Sequence, residues 1–320
     1  MKNHFIRQIG VSVVILSVFS SCMSSQSFIP VKGSGMPTDK SFNVTGFKGI
    51  EVSGGFDVIL SQGTTESVTL SAQENLFEYI HVEVEQGILK IYTENNLWPT
   101  KPLKARVMFK NIEKLHVSGG GDVKAETNIT AEELEIGITG GGDISANIEA
   151  TNLSSSISGG GDAYLNGSAG RLDVNMTGGG DLEATMNTGS LFCRLSGGGD
   201  LTLRSEKEAT EIKLELTGGG DADAVVNTAN LTCTLSGGGN ASLSGKATQL
   251  DLNLNGGGDV HASGMNVVSA TFQVSGGSDL HLNVADELKG NISGGGDVYY
   301  SGSPEIVSID ARGGSEVHKE

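Results

Sequence analysis

The chain has 320 residues, of which 48 are glycine and 5 are proline. Glycine at this level, with so little proline and no Gly-X-Y period, excludes a collagen triple helix. Hydrophobic residues make up 37% of the chain, which argues against a wholly disordered protein. The formal net charge is −17 and no basic patch is present, so neither nucleic acid nor an anionic membrane surface is expected as a partner.

Residues 1–21 have the organisation of a secretory signal peptide. Two cationic residues precede an apolar run over 9–19, which is too short for a comfortable transmembrane helix. The stretch Phe-Ser-Ser-Cys that ends at Cys22 resembles a bacterial lipobox, although Phe19 stands where Leu is usual. Cys22 is therefore predicted to be lipidated, and ordinary signal cleavage and an uncleaved anchor are the alternatives. The prediction is an exported outer-membrane lipoprotein, with the periplasmic or cell-surface face left open.

Residues 22–42 contain Ser, Gly, Lys and two prolines and show no hydrophobic periodicity. This composition is typical of a flexible segment, so we expect a lipidated tether that holds a domain away from the membrane. Residues 43–320 are predicted to form one domain, which is irregular over 43–117 and regular over 118–316.

A glycine-rich pentad of the type Ser/Thr-Gly-Gly-Gly-Asp repeats along the regular part. It first occurs at 53–57 in a variant form. It recurs at 118–122, 139–143, 158–162, 177–181, 196–200, 217–221, 236–240, 255–259, 275–279 and 293–297, and a degenerate copy lies at 312–316. From Asp122 onward the step is 18 to 21 residues, which indicates a repeat architecture.

The residues that flank each pentad alternate between apolar and polar. Around 177–181, for example, the apolar residues are Val174 and Met176 before the pentad and Leu182 and Ala184 after it. A period of two indicates β-strand on both sides of the glycines. Short strands in coils of about 20 residues predict an all-β fold, a parallel β-helix, with roughly 4.8 Å between coils and a rod of roughly 50 Å.

Two other repeat folds fit the sequence less well. Leucine-rich repeats need an asparagine ladder and a longer convex segment, and neither is present. A propeller needs about 40 residues per blade. Cys193 and Cys233 hold the same position two coils apart, so their Cα atoms should lie roughly 10 Å apart, too far for a disulfide. Both are interpreted as small buried hydrophobic residues.

The region before the second pentad is less regular. Strands are expected at 68–70, 80–84 and 89–92, and a loop at 98–102. Since 65 residues separate Asp57 from Asp122, we expect about three coils between them.

Two stretches of this region resemble a known family. They are F-K-G-I-E-V-S-G-G-F-D-V-I-L-S-Q-G, beginning at Phe47, and E-N-L-F-E-Y-I-H-V-E-V-E-Q-G-I-L-K-I-Y, beginning at Glu74. Both resemble the head GIN domain family, which is described as auto-transporter adhesins and is common in Bacteroidetes. The resemblance is strongest over 46–125, and the pentads extend it to about residue 300. It implies a right-handed β-helix, an envelope location and an adhesive role, and it carries over no catalytic or ligand-binding residues.

The last position of the pentads defines a line of side chains that we call the acid column. Its members are Asp57, Asp122, Asp143, Asp162, Asp181, Asp200, Asp221, Asn240, Asp259, Asp279 and Asp297. Carboxylates about 4.8 Å apart in water repel each other by about 0.9 kcal/mol per pair. Either each carboxylate accepts N–H bonds from its glycine corner, or the column binds divalent cations such as Ca²⁺. We favour the structural role, because the period differs from that of the nine-residue calcium repeat.

One cluster within the column has candidate ligands for a metal. Asp259 and His261 have the same spacing as Asp279 and His281, and in adjacent coils the four side chains would lie together. Asp and His suit a transition metal or acid–base catalysis. The favoured interpretation is a solvated face, because the same outward position is occupied elsewhere by Lys, Ser, Tyr and Glu. Glu316 and His318 repeat the pattern two coils later, and Tyr299 replaces His in the coil between them.

The sequence thus favours a non-enzymatic, lipid-anchored β-helix that binds an extended glycan or a surface protein. No cofactor is expected beyond weak binding of divalent cations, and no catalytic residue is assigned. A carbohydrate-active β-helix enzyme, a polysaccharide lyase or hydrolase, is the first alternative. A passive structural protein of the envelope is the second.

Overall fold

The computed structural model of the chain describes residues 30–93 and 96–320. The predicted signal peptide, 1–21, and the predicted lipidation site Cys22 lie outside the described residues. Within the described ranges the chain is mostly β-strand, with a short 3-10 helix at Glu74–Tyr79. No helix there is long and apolar enough to cross a membrane.

Short strands precede the regular part of the molecule. They are β1 (Val31–Lys32), β2 (Pro37–Phe42), β3 (Gly49–Ser53), β4 (Phe56–Gln62), β5 (Ser67–Gln73), β6 (Ile80–Glu85), β7 (Ile88–Thr93), β8 (Leu97–Trp98), β9 (Leu103–Phe109), β10 (Lys114–Gly119) and β11 (Val123–Ala125). The strands expected at 68–70, 80–84 and 89–92 are thus present as β5, β6 and β7.

Long strands make up the regular part. They are β12 (Ile129–Gly140), β13 (Ile144–Gly159), β14 (Ala163–Gly178), β15 (Leu182–Gly197), β16 (Leu201–Gly218), β17 (Ala222–Gly237), β18 (Ala241–Gly256), β19 (Val260–Gly276) and β20 (Leu280–Gly294). The final strands are β21 (Val298–Gly302), β22 (Ile306–Gly313) and β23 (Val317–Lys319).

Each long strand pairs in parallel with the next, and the residues that lead into each pentad stay in register. Register shifts occur earlier in the rung, in the pairings of β15 with β16, β16 with β17, β18 with β19 and β19 with β20. Between β13 and β14, for example, Ile144 lies beside Ala163 and Gly159 lies beside Gly178. Each long strand ends at the first glycine of a pentad, and the next strand begins directly after the acid-column residue. The strands stack as a solenoid of about 11 turns, so the predicted parallel β-helix is confirmed. We call one turn a rung.

Side chains alternate between the core and the solvent along each rung, and in β13 to β18 the alternation changes phase once. In β14, Ala169 and Leu172 are both buried although they lie three residues apart. Because alternate residues of a strand point to opposite faces, the odd step marks a corner of the rung. Each rung therefore has a first run, which follows the acid column, and a second run, which leads into the next pentad.

The expectation of about three coils between Asp57 and Asp122 is wrong, because the N-terminal region instead forms a cap on the solenoid. The two residues lie in neighbouring rungs, because β4 and β11 pair in parallel with Val58 beside Val123. Of the intervening chain, β7 and β9 add one further parallel rung beside β3 and β4. The strands β5 and β6 then pair antiparallel with β9 and β7 and cover that rung.

The expectation of a flexible tether is wrong over residues 37–42. These residues form β2, which pairs antiparallel with β5 from Pro37 beside Gln73 to Phe42 beside Val68. The side chains of β2 are mostly exposed, so the strand lacks the apolar alternation that marks a strand in sequence. Backbone pairing holds it at the edge of the cap. The loop expected at 98–102 begins within β8, which pairs with β1.

The cysteines in the regular part are free and buried, as the sequence predicts. Cys193 pairs in register with Leu214, and Leu214 pairs with Cys233 in the following rung. The intervening leucine therefore separates the two sulfur atoms along one buried column.

Candidate functional site

The acid column forms a ladder of hydrogen bonds from rung to rung. The Oδ1 atom of each member from Asp122 to Asp297 accepts the backbone N–H of the column residue in the next rung, at 2.7–3.1 Å. Asn240 takes part through its amide oxygen, which accepts the N–H of Asp259 at 3.0 Å. Glu316, in the degenerate pentad, donates the last N–H at 2.7 Å. The column is therefore an element that joins one rung to the next.

The donors in this ladder differ from those expected. The sequence indicated N–H groups of the glycine corner, whereas the structure uses the N–H of the next column residue. This arrangement supports a structural role, because a charge-assisted bond to each carboxylate offsets the repulsion along the column. Among the described residues, no group of three or more His, Cys, Asp or Glu side chains is arranged to hold a metal ion.

The three glycines of a pentad have different roles. Gly178, the first of its pentad, has φ of 130°, and a Cβ atom there would lie 2.2 Å from the carbonyl oxygen of Gly159. Gly180, the third, would place a Cβ atom 2.1 Å from the carbonyl oxygen of Gly161. Gly179, between them, has nothing within 4 Å of the position that a Cβ atom would take. In this pentad the stacked backbones therefore leave no room for a Cβ atom at the first and third positions, although Ser278 and Ser315 occupy the third position in the copies at 275–279 and 312–316.

A stack of aromatic rings lies beside the acid column near the C-terminal end. His261 and His281 are neighbours in adjacent rungs, as the sequence predicted, with ring centroids 5.2 Å apart. Tyr299 stacks on His281 at 4.6 Å and His318 stacks on Tyr299 at 4.9 Å. The pKa of Tyr299 is raised, first by partial burial and then by the negative charge of Asp297 and nearby carboxylates. Tyr299, which replaces His in the sequence pattern, therefore lies between His281 and His318 in one continuous stack.

The chemistry open to this aromatic stack is limited by its geometry. His281 and Tyr299 each have a ring neighbour on both sides, and the rings of His281, Tyr299 and His318 are close to parallel. The Oδ1 atoms of Asp259 and Asp279 are already used by the ladder, at 2.8 and 2.9 Å from their donors. The four candidate ligands are brought together in adjacent rungs, but they do not form a metal-binding group among the described residues.

The outward face of the second runs is charged in the middle of the solenoid. Arg171 and Asp173 form an ion pair at 2.7 Å. Glu215 accepts from Lys213 at 2.6 Å and from Arg194 at 2.7 Å. Hydrogen bonds from Lys213 and then Arg194 lower the pKa of Glu215. These charged side chains are therefore paired with one another in ion pairs.

The same face changes character in the rungs that follow. Two shallow furrows of about 440 and 490 Å³ run side by side there. The side chains of Asn253, Gln273 and Asn291 line both furrows and separate them, and we call this line the amide ridge. Alternation in the sequence does not single out these residues, because it marks outward positions only as polar. Their signal is the run of uncharged residues two positions before successive pentads.

Comparison with known proteins identifies one matching family. A family model described as "Putative auto-transporter adhesin, head GIN domain" matches residues 46–210 and again residues 191–304. The two matches span most of the cap and of the rungs. None of the curated proteins compared with the chain matches it.

Several solved structures are similar to the chain at low identity. A protein from Parabacteroides distasonis, described as a putative lipid binding protein, is 20% identical, and the match covers 90% of this chain and 99% of that one with a TM-score of 0.42. A putative adhesin from Bacteroides fragilis is 15% identical over 91% and 100% of the chains, with a TM-score of 0.32. A putative adhesin from Parabacteroides merdae is 18% identical over 91% and 98%, with a TM-score of 0.38. At these scores the similarities carry no weight for function.

Proposed function

This chain belongs to the family described as auto-transporter adhesins with a head GIN domain, and on that premise we propose that it is a non-enzymatic adhesin of the cell envelope. The observation that carries the proposal is the family match over 46–304. The solenoid supports it, because in-register rungs give straight, repeated lines of outward side chains. Such lines suit an extended polar partner, a glycan or a surface protein.

The lack of an assigned catalytic group is part of the proposal. Neighbouring members of the acid column share the same hydrogen bond, so no single carboxylate in that ladder is set apart from the others among the described residues. A general acid or nucleophile needs surroundings that differ from those of its neighbours. Beside the acid column, the strongest candidate for such distinct surroundings is the pair His261 and His281.

Lipid anchoring through Cys22 is a further part of the proposal and comes from the sequence. Acyl chains buried in a leaflet would hold the solenoid at the membrane. We expect a Cys22→Ser variant to lose incorporation of radiolabelled palmitate and to leave the membrane fraction. Retention of the label by that variant would contradict anchoring at Cys22.

Adhesion is tested with cells on surfaces coated with polysaccharides or host glycoproteins. Cells that express the protein should attach to at least one coating, and cells in which its gene is deleted should lose that attachment. Cells that carry the Cys22→Ser variant should also lose attachment. Equal attachment of the wild-type and deletion strains to every coating would contradict the proposed function.

The enzyme alternative is tested separately. A double variant, His261→Ala with His281→Ala, removes the histidine pair that stacks in adjacent rungs on the acid-column face. Because the proposed function needs no turnover, we expect this variant to bind the same coatings as the wild-type protein. Product release by the wild-type protein that is lost in the variant would establish catalysis instead.

A further inference from the structure

An uncharged strip lies between the amide ridge and the pentads, although the whole chain has a net charge of −17. The second of the two furrows lies between the amide ridge and the next outward line of side chains, and we call it the neutral furrow. That outer line includes Asn255, Ser275 and Ser293. No acidic or basic side chain lines the neutral furrow among the described residues. A strip without charged side chains lets an uncharged chain cover it without removing water from charged groups, which is costly.

Charged residues mark both ends of the strip. Towards the N-terminal end, Thr234 lies beside Asn253 in the preceding rung, and Glu215 lies beside Thr234 in the rung before that. Glu215 is ion-paired with Arg194. Towards the C-terminal end, Asp310 lies beside Asn291 in the following rung, and Asp310 is ion-paired with Arg312. The strip therefore spans four rungs, a length of about 14 Å at the spacing of parallel strands.

The amide ridge offers hydrogen-bonding groups that the protein does not use. Asn253, Gln273 and Asn291 are exposed, and their side chains make no hydrogen bond with the described part of the chain. Some other amides on the solenoid are bonded within the chain: Asn152 donates to Glu133 at 2.6 Å and Asn230 donates to the Thr210 carbonyl at 3.2 Å. Asn147 and Asn166 are exposed amides without such a bond to any described residue, but they lie on the outward side of the first runs. A primary amide carries two donors and an acceptor, so the ridge presents both kinds of group in each of its rungs.

The chemistry of the furrow selects its ligand. An anionic ligand is disfavoured by the charge of the chain, and a cationic ligand is drawn to the acid column rather than to this strip. An apolar ligand finds no apolar wall, because Leu254 and Val274 beneath the furrow are buried. Hydroxyl groups both donate and accept, and so they match a line of amides and serines.

We propose that the neutral furrow binds an uncharged polysaccharide that lies along the solenoid axis, with its hydroxyl groups bonded to the amide ridge. This inference rests on the proposed adhesive function and assigns its ligand class and its face. The contacts are hydrogen bonds to exposed groups, which individually contribute little, so binding depends on several rungs acting together.

The test is affinity electrophoresis of the chain from Ser24 onward in gels that contain one polysaccharide each. Dextran, mannan, xyloglucan and laminarin are the neutral probes, and polygalacturonate and heparin are the acidic ones. The furrow variant is Asn253→Asp with Gln273→Glu, which keeps the shape but removes the donors and adds charge. A second variant, Asn253→Ala with Asn291→Ala, removes the hydrogen bonds without adding charge.

A matched control carries the same charges on another face. Asn147 and Asn166 are also exposed amides in adjacent rungs, on the outward side of the first runs. The control Asn147→Asp with Asn166→Asp thus has the same net charge as the furrow variant. Melting temperatures of all variants report whether the fold is retained.

The expected result is retardation of the wild-type protein by at least one neutral polysaccharide. Both furrow variants should lose at least about tenfold in affinity, while the control keeps the wild-type value. Equal retardation of the wild-type and furrow variants, or retardation by the acidic probes alone, would overturn the furrow assignment and leave the adhesive function standing. Retardation by none of the six probes would also overturn the furrow assignment, and cell attachment then decides the adhesive function independently.

Discussion

At the scale of single residues, the pentad combines positions that are fixed by stacking with one that is not. Gly178 is constrained twice, by its φ of 130° and by the carbonyl oxygen of the preceding rung. Gly179 is constrained by neither, since a Cβ atom there would meet nothing within 4 Å. The high glycine content therefore reflects close approach of stacked backbones more than tight turns.

The first prediction compares these two adjacent glycines. Gly178→Ala should lower the free energy of unfolding by about 1–3 kcal/mol from backbone strain alone. Gly179→Ala should change it by less than about 0.5 kcal/mol, because the substituted position is open. Urea unfolding of both variants measures the difference. Equal destabilisation by the two substitutions would contradict the assignment of roles within the pentad.

The second prediction concerns the acid column. Asp200 accepts the N–H of Asp221 at 2.8 Å. Asp200→Ala removes this acceptor and should cost about 1 kcal/mol of stability, measured by urea unfolding. Asp200→Asn keeps an oxygen in place, as Asn240 does naturally, and should be close to neutral. If Asn were as destabilising as Ala, the ladder would depend on charge rather than on an acceptor.

The third prediction concerns the buried thiols. Burial raises the pKa of both Cys193 and Cys233 to about 12. At about pH 8 both groups stay protonated and inaccessible, so they should not react with a disulfide reagent in the native chain from Ser24 onward. Both thiols should react after unfolding in guanidinium. Rapid labelling of the native protein would show that this column opens.

At the scale of elements, the rung is the unit of the structure. Each rung contacts the rungs before and after it, and its strand pairs in register with both. Stability in such an array is approximately a sum over rungs and their interfaces. A whole rung is therefore removable, whereas part of one is not.

The fourth prediction tests this property by deletion. Removing 182–200 joins Asp181 to Leu201, which holds the same register position as Leu182 one rung later. We expect the shortened chain to fold, with its β-strand circular dichroism retained and a modest fall in melting temperature. Removing 182–190 instead leaves an incomplete rung and should abolish cooperative unfolding. Failure of the whole-rung deletion to fold would contradict the additive description.

Elements that are marked by local sequence patterns could be predicted, and elements that depend on long-range pairing could not. The pentad and its flanking alternation predicted the rungs around Val174 and Met176, because period two fixes which side chains enter the core. The cap was missed because alternation marks a strand without giving its partner or direction. The pairing of β5 with β2 and β9 is long-range, so the spacing of Asp57 and Asp122 was compatible with three coils.

For the candidate site, too, the sequence predicted which residues lie side by side but not the hydrogen bonds that they make. The place of Asp259 and His261 beside Asp279 and His281 followed from register alone. The bond from each carboxylate to the next column N–H did not, because it depends on the separation of rungs and on side-chain rotamers. The amide ridge was missed because a strand pattern records an outward position as polar and not as free or bonded.

At the scale of the whole molecule, the chain combines a capped solenoid with an acidic, repetitive surface. The antiparallel strands of the cap cover the rung formed by β7 and β9. At the other end, Val307 and Val317 are 45% and 38% exposed in the final rung. Between these ends, one face carries the acid column, which joins the rungs, and another carries the neutral furrow, to which we assign ligand binding.

The proposed function requires that the protein bind an extended partner without changing it chemically. The most direct measurement incubates the chain from Ser24 onward with an array of polysaccharides and host glycans, with and without Ca²⁺, and scores retention and product release together. We expect retention on at least one ligand, no released product and no dependence on Ca²⁺. Release of product from a retained ligand would contradict a non-enzymatic adhesin and would direct attention to His261 and His281.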